Sequence, residues 1–246
     1  MSTDSLLKNR NFVFFLSIRW FYSVAIQSIT LTVGWQVYIL TGNPLDLGLI
    51  GLAQVFPIFL FILPSGVIAD KFDRKIVICL CTIVHLLVAV YLLYYSLSGP
   101  TSIWPILIAL LVHGTARAMY QPSLSAILPN IVEKKVFPNA TAYNSSVGKL
   151  GHLIGPLISG VIISFYDTKV YIFAIICFAI STISILFLKN PKNPNNLKSV
   201  SLSVVISGFV YVWKTRLVLG TMSIDLFAVL FGGIMGMLPI FAIDIL

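Results

Sequence analysis

Polar and charged side chains recur at helical spacing in three otherwise apolar stretches of this chain of 246 residues. Steps of three or four residues place side chains on one face of a helix. Polar groups on such a face usually line a cavity or a hydrated interior. The three sets are Arg19, Ser23, Gln27, Thr30 and Gly34; His113, Arg117, Gln121 and Ser125; and Ser145, Lys149, His152, Pro156 and Ser159.

Catalytic chemistry has no candidate residues in the sequence. His85, His113 and His152 occur singly on three predicted helices, and the three cysteines have neither CxxC spacing nor a neighbouring histidine or carboxylate. No set of serine, histidine and acid and no pair of carboxylates is visible. We therefore expect no enzyme activity, no catalytic residue, no metal site and no cofactor, and the cysteines are interpreted as buried, inert thiols.

The composition indicates a membrane protein. Hydrophobic residues make up 58% of the chain, charged residues make up 10%, and the mean hydropathy is +0.99. A soluble domain would carry about 25% charged residues. Seven continuously apolar runs are long enough to cross a bilayer as helices, which predicts an all-α membrane protein. The predicted spans are residues 12–40, 45–69, 76–97, 103–128, 139–166, 170–188 and 217–243.

The positive charges are distributed unevenly between the two sides of this topology. Twelve of the sixteen Lys and Arg residues fall in segments on one side, and Lys169 alone falls on the other. The positive-inside rule then places the N-terminus in the cytoplasm. The net charge of +8 reflects this topology, and no basic stretch with interleaved aromatics supports nucleic-acid binding.

Four ionisable residues inside spans are predicted to share one layer of the membrane. Arg19, Lys149 and Asp225 lie roughly 10 to 15 Å from the cytoplasmic ends of their spans, and Arg117 lies about 11 residues from the cytoplasmic end of its span. Asp225 is the only acid in the middle of a predicted span. These residues, with Gln27 and Gln121, are candidates for a substrate or proton pathway. Two structural alternatives stay open: Arg19 snorkels or binds carbonyl groups, and Arg117 pairs with Asp225 to hold the bundle together.

The uneven distribution of polar residues also predicts which helices face which environment. The first, fourth and fifth spans carry the polar stripes, so they are expected to line the hydrated interior. The third and sixth spans hold few polar residues and are expected to face lipid.

The connection between the second and third spans carries a recognisable motif. Residues 66–75 read GVIADKFDRK. They resemble motif A of the major facilitator superfamily, which has a glycine, small apolar residues, an aspartate and then a basic run. The resemblance implies that Gly66, Asp70, Arg74 and Lys75 belong to a cytoplasmic gate. There the glycine allows close helix contact, and the aspartate meets a helix N-terminus or an arginine.

The fifth span carries a second motif. Its residues 151–160 read GHLIGPLISG and are similar to the antiporter motif C of exporters in that superfamily. Gly151, Gly155, Pro156 and Gly160 are then expected to form a kinkable helix with tight, shifting contacts. Further stretches at residues 41–44, 120–129, 225–233 and 238–239 are similar to the branch that contains the enterobactin exporter.

The resemblance implies a bacterial inner-membrane exporter of drugs or siderophores, coupled to protons and working by alternating access. Such proteins contain two six-helix bundles of inverted three-helix repeats. We expect residues 1–190 to form the first bundle, 191–214 a cytoplasmic loop with an amphipathic helix, and 215–246 the seventh span of a truncated chain. The expected partners are a small-molecule substrate, the lipid bilayer, and a missing C-terminal half or a second copy. A non-transporting or degenerate membrane protein is the alternative, and short outer loops disfavour a receptor.

Overall fold

A computed structural model describes residues 6–166 and 169–189, with the isolated positions 215 and 220. Within these ranges, the side chains of residues 62, 63 and 67–71 are not described. The described residues form six α-helices and one 3₁₀ turn and contain no strand, which confirms the all-α prediction for this part of the chain. The predicted amphipathic segment and seventh span, with Asp225, lie outside the described residues.

Each of the first six predicted spans corresponds to one helix, and the predicted ends lie within three residues of the observed ones. The 3₁₀ turn Lys134–Val136 precedes α5. The helices are α1 Arg10–Thr41, α2 Pro44–Lys71, α3 Arg74–Leu97, α4 Trp104–Ile131, α5 Phe137–Phe165 and α6 Lys169–Phe187.

Local side-chain chemistry explains several helix ends. The Asn9 side chain accepts a hydrogen bond from the backbone N–H of Asn11 at the start of α1, and Asp73 accepts one from Lys75 at the start of α3. These bonds satisfy N–H groups that have no partner within the helix. α1 ends at Gly42, whose φ of 62° is in the left-handed region that glycine adopts without strain.

Five of the described helical segments are long and apolar enough to cross a membrane. α4 is not among them, although its 28 residues would extend about 42 Å. Its central turns contain His113, Arg117 and Gln121, which lower its apolar character. The segments that qualify are Arg10–Thr41, Pro44–Phe61, Arg74–Leu97, Lys134–Phe165 and Lys169–Phe187.

The helix contacts follow the two-fold pattern of an inverted repeat. α1 packs mainly on α5 and α6, α4 packs mainly on α2 and α3, and α3 packs on α6. When the first three helices are exchanged with the last three, the α1–α5 contact maps onto α4–α2, the α1–α6 contact maps onto α4–α3, and the α3–α6 contact maps onto itself. The bundle therefore consists of two related three-helix units.

The outer helices α3 and α6 each have one apolar face exposed, as the sequence predicts for lipid contact. The exposed residues of α3 include Leu80 and Leu87, and those of α6 include Ile176 and Ile183. Their inner faces are more polar than expected, because His85 of α3 and Ser181 of α6 are fully buried.

Candidate functional site

Three glycines on one face of α5 allow this helix to lie directly against α1. A Cβ added at Gly151 would lie 2.7 Å from the Ser23 Cβ, and one added at Gly155 would lie 2.8 Å from the Val24 carbonyl oxygen. The third glycine, Gly148, lies against the Arg19 guanidinium, where an added Cβ would be 2.7 Å from Nε. Backbones approach this closely only where a side chain is absent. This glycine face presses the polar stripe of α1 against α5.

The α1–α5 cavity lies along this contact and has a volume of about 570 Å³. It brings together three of the residues that the sequence predicts for a pathway, Arg19, Gln27 and Lys149. The Gln27 side-chain amide hydrogen-bonds the ring of His152, with 2.8 Å between Nε2 and Nδ1. The full lining is Arg19, Gln27, Ser145, Gly148, Lys149, His152 and Leu153.

The α2–α4 cavity, of about 380 Å³, contains the other two predicted pathway residues of the described chain, Arg117 and Gln121. Gly66 of the motif also lines it, so the predicted gate adjoins the predicted pathway. The full lining is Ile58, Ser65, Gly66, Arg117, Ala118, Gln121 and Pro122.

One hydrogen bond connects the residues of the two cavities. Arg19 Nη1 donates to Gln121 Oε1 over 3.1 Å and thereby links α1 to α4. We refer to this contact as the Arg19–Gln121 bridge. Because each partner lines a different cavity, the bridge stands between the α1–α5 cavity and the α2–α4 cavity.

The walls of the two cavities carry an excess of positive charge. Nε of Arg19 is buried without a hydrogen-bond partner, and no hydrogen bond or ion pair joins Arg117 or Lys149 to another described residue. By helical rise, Arg19, Lys149 and Arg117 lie about 14, 18 and 21 Å from the N-terminal end of α1, the N-terminal end of α5 and the C-terminal end of α4. These ends lie on the same predicted side of the membrane, so the three cations occupy one layer.

Carboxylates in the described part of the chain lie away from this layer. Asp46 is in the first turn of α2, Asp73 caps α3, and Glu133 precedes the 3₁₀ turn. Asp225 lies outside the described residues, so its pairing with Arg117 remains an alternative.

The other residues of the α5 motif have different surroundings. Pro156 is half-buried within α5, and its missing N–H removes the helical hydrogen bond to the His152 carbonyl group. Gly160 is exposed, and no described atom lies within 4 Å of a Cβ added there. Close contact therefore involves Gly151 and Gly155 but not Gly160.

Two residues of the gate motif bind carbonyl groups of neighbouring helices. Arg74 Nη1 donates to the Ala126 carbonyl group over 2.8 Å. Lys75 Nζ donates to the carbonyl groups of Leu186 and Leu188 over 2.9 and 2.8 Å, where the end of α6 leaves acceptors unpaired. The start of α3 is thus anchored to the ends of α4 and α6. The Asp70 side chain is not described, and a Cβ at Gly66 would meet no described atom within 4 Å.

A buried cluster of aromatic and histidine residues, which the sequence patterns did not predict, lies inside the bundle. His85 and His113 hydrogen-bond each other through their Nδ1 atoms over 3.0 Å, and the Tyr22 hydroxyl lies 3.1 Å from His85 Nε2. The Tyr22 ring stacks on Tyr120 with 3.5 Å between centroids. Neutral imidazoles can share such a bond only if one donates from Nδ1 and the other accepts there. Among the described residues, no three His, Cys, Asp or Glu side chains are grouped to hold a metal ion.

A sequence signal for this histidine pair does exist. His85 lies twelve residues before the end of α3, and His113 lies nine residues after the start of α4. Two consecutive helices run in opposite directions, so these distances place both histidines at similar depth.

Comparison with known proteins agrees with this architecture. Residues 10–246 match the family described as transmembrane secretion effector. The staphyloferrin A transporter of Staphylococcus aureus (strain NCTC 8325 / PS 47) is 30% identical over 182 residues, which are 71% of this chain and 45% of the relative. Macrolide efflux protein A of Streptococcus pyogenes is 20% identical over 161 residues, 65% of this chain and 40% of the relative.

A third relative, the uncharacterized MFS-type transporter YfiS of Bacillus subtilis (strain 168), is 22% identical over 186 residues, 73% of this chain and 43% of the relative. The aligned part of this chain thus spans less than half the length of each of these relatives. The family match covers nearly the whole chain and agrees with its multi-pass helical bundle. The chain therefore belongs to the transmembrane secretion effector family of the major facilitator superfamily, a family of membrane transporters rather than enzymes.

Proposed function

We propose that this chain forms the first bundle of a secondary active exporter for small amphipathic compounds. The observation that carries the proposal is the pair of cavities, each lined in part by charged and amide side chains, on either side of the Arg19–Gln121 bridge. Polar and charged groups in the middle of membrane helices mark solute pathways, since their burial is costly otherwise. The names of two relatives, a siderophore transporter and a macrolide efflux protein, support the proposed class of cargo.

Transport in this proposal proceeds by alternating access, and protons drive it through Asp225. Two bundles rock about a site between them. The second bundle comes from a C-terminal half or from a second copy of the chain. The location that we propose is the bacterial inner membrane, with the N-terminus in the cytoplasm. The excess of Lys and Arg in the connections on the N-terminal side supports this orientation.

Reconstituted vesicles test the proposal. The chain is purified alone and together with the C-terminal half of the staphyloferrin A transporter, and uptake of staphyloferrin A and of a macrolide is measured under a pH gradient. We expect flux when the second half is present and none from the chain alone if the C-terminal half is the second bundle. Flux from the 246-residue chain alone would instead indicate a working homodimer.

Correct insertion without flux in either sample would refute the proposal and favour the non-transporting alternative. A variant with Tyr94→Phe serves as a control for the handling of the protein, because Tyr94 is exposed on α3 and lines neither cavity.

A further inference from the structure

The two cavities are cationic on both sides of the bridge that separates them. Arg19 and Lys149 contribute to the α1–α5 cavity, and Arg117 contributes to the α2–α4 cavity. A single anionic group held by Arg19 and Lys149 would leave the charge of Arg117 unused. The arrangement therefore suits a ligand with more than one anionic group.

The state of Arg19 also points to a ligand. Its Nη1 atom is used by Gln121, whereas its Nε atom is buried and has no partner among the described residues. A buried donor without an acceptor is costly, and the cost is greater for a charged group. Gly148 lies against the Nε edge of this guanidinium. A ligand carboxylate therefore supplies the acceptor when Arg19 turns away from Gly148, in the geometry that guanidinium groups favour.

The charge that this chain contributes to the layer exceeds what its own acids can neutralise. Asp225 is the only acid of this chain in the middle of a predicted span, and it can balance one of Arg19, Arg117 and Lys149. Two positive charges then remain in a medium of low dielectric constant, where attraction for an anion is strong.

Building on the proposed function, we propose that the cargo is a small organic anion with two separated anionic groups, one in each cavity. One group binds Arg19 and Lys149, and the other binds Arg117. Leu153 in one cavity and Ile58 in the other provide apolar contacts for the carbon skeleton. The volumes of about 570 and 380 Å³ lie within the range for drug-sized ligands.

Binding of matched probes to the full chain in lipid nanodiscs tests the proposal. Azelate and nonanoate are nine-carbon chains that differ in the second carboxylate, and tetraphenylphosphonium is an amphipathic cation. Titration calorimetry, with empty nanodiscs as the blank, gives the affinities. We expect azelate to bind at least about tenfold more tightly than nonanoate, which is about 1.4 kcal/mol, and tetraphenylphosphonium to bind most weakly.

Three variants test whether the two carboxylate groups of azelate bind at Arg19 and at Arg117. Arg19→Gln and Arg117→Gln should each weaken azelate binding by about tenfold and bring it close to that of nonanoate. Arg10→Gln is the matched control, because Arg10 is exposed at the start of α1, where its guanidinium lies over the Phe14 ring at 5.4 Å. This control should leave azelate affinity unchanged within about twofold.

Equal affinity for azelate and nonanoate in the unmodified chain would overturn the proposal, as would the absence of azelate binding or a preference for tetraphenylphosphonium. These outcomes do not depend on any variant. An equal loss in Arg10→Gln and Arg117→Gln would also overturn it, because the attraction would then be nonspecific. Azelate binding without flux in the completed transporter would refute the proposed export alone, whereas flux of a macrolide without azelate binding would refute the two-anion site alone.

Discussion

The close contact between α1 and α5 predicts that Gly155→Ala lowers the stability of the bundle. An added Cβ would lie 2.8 Å from the Val24 carbonyl oxygen and 2.9 Å from the Gln27 Cβ. Ordinary contacts between nonbonded carbon atoms are about 3.5 to 4.0 Å long, so α5 must move away from α1 by roughly 0.7 Å. The backbone of α1 cannot rotate out of the way as a flexible side chain could.

The magnitude follows from two opposing effects. Overpacking of a tight contact costs about 1 to 3 kcal/mol. Replacing glycine by alanine in a helix gains about 0.5 to 1 kcal/mol through the backbone. Gly160→Ala is the matched control on the same helix. It has the same backbone stabilisation, and no described atom lies within 4 Å of the added Cβ. The difference between the two variants therefore isolates the steric cost.

Equilibrium unfolding in mixed micelles measures this difference. We expect the free energy of unfolding of Gly155→Ala to be about 1 to 3 kcal/mol below that of Gly160→Ala. The Gln27 to His152 hydrogen bond, 2.8 Å long, should be weakened in the same variant, because it spans the helices that separate. Equal stability of the two variants would refute the close α1–α5 contact.

Three further predictions concern other parts of the bundle. Tyr22→Phe removes the hydroxyl group 3.1 Å from His85 Nε2 and should cost about 1 to 3 kcal/mol of unfolding free energy, whereas Tyr94→Phe on the exposed face of α3 should change it little. Lys75→Gln loses the charged hydrogen bonds to the end of α6 and should speed hydrogen exchange there by about tenfold, without an equal change in α1. A cysteine at Ser98, in a background without the native cysteines, should react with an impermeant maleimide only from the outer side, and labelling only from the cytoplasmic side would contradict the topology.

The helices themselves could be predicted from the sequence, because the patterns that indicate them are local. A continuous apolar run of about 20 residues predicts a span without knowledge of its neighbours. The spacing of polar residues by three or four positions likewise predicted that Arg19 and Gln27 share a helix face. The structure places both in the α1–α5 cavity. Caps such as Asp73, which accepts from the Lys75 backbone, depend only on adjacent residues.

The contacts between helices were harder to predict from the sequence, since they depend on which helix faces meet. Gly148 lies three residues before the α5 motif and was not predicted to be a contact, yet it lies against the Arg19 guanidinium. Gly114 was also missed, although a Cβ there would lie 2.6 Å from the Gln54 carbonyl oxygen of α2. A glycine in a span has the same local sequence pattern whether it has no described neighbour, as Gly160, or lies against a neighbouring backbone. Packing of the partner helix decides between the two.

The internal repeat gives the Arg19–Gln121 bridge a particular meaning. Exchange of the two three-helix units maps the α1–α5 cavity onto the α2–α4 cavity and maps α1 onto α4. Each of these two helices contributes one arginine, Arg19 or Arg117, so the cavities are related in charge as well as in position. The two helix contacts are not identical. The α1–α5 contact has its glycines on α5, whereas the α2–α4 contact has Gly114 on α4. A bond between the two exchanged helices therefore fixes the separation of two similar cationic sites, which is the property that a cargo with two anionic groups requires.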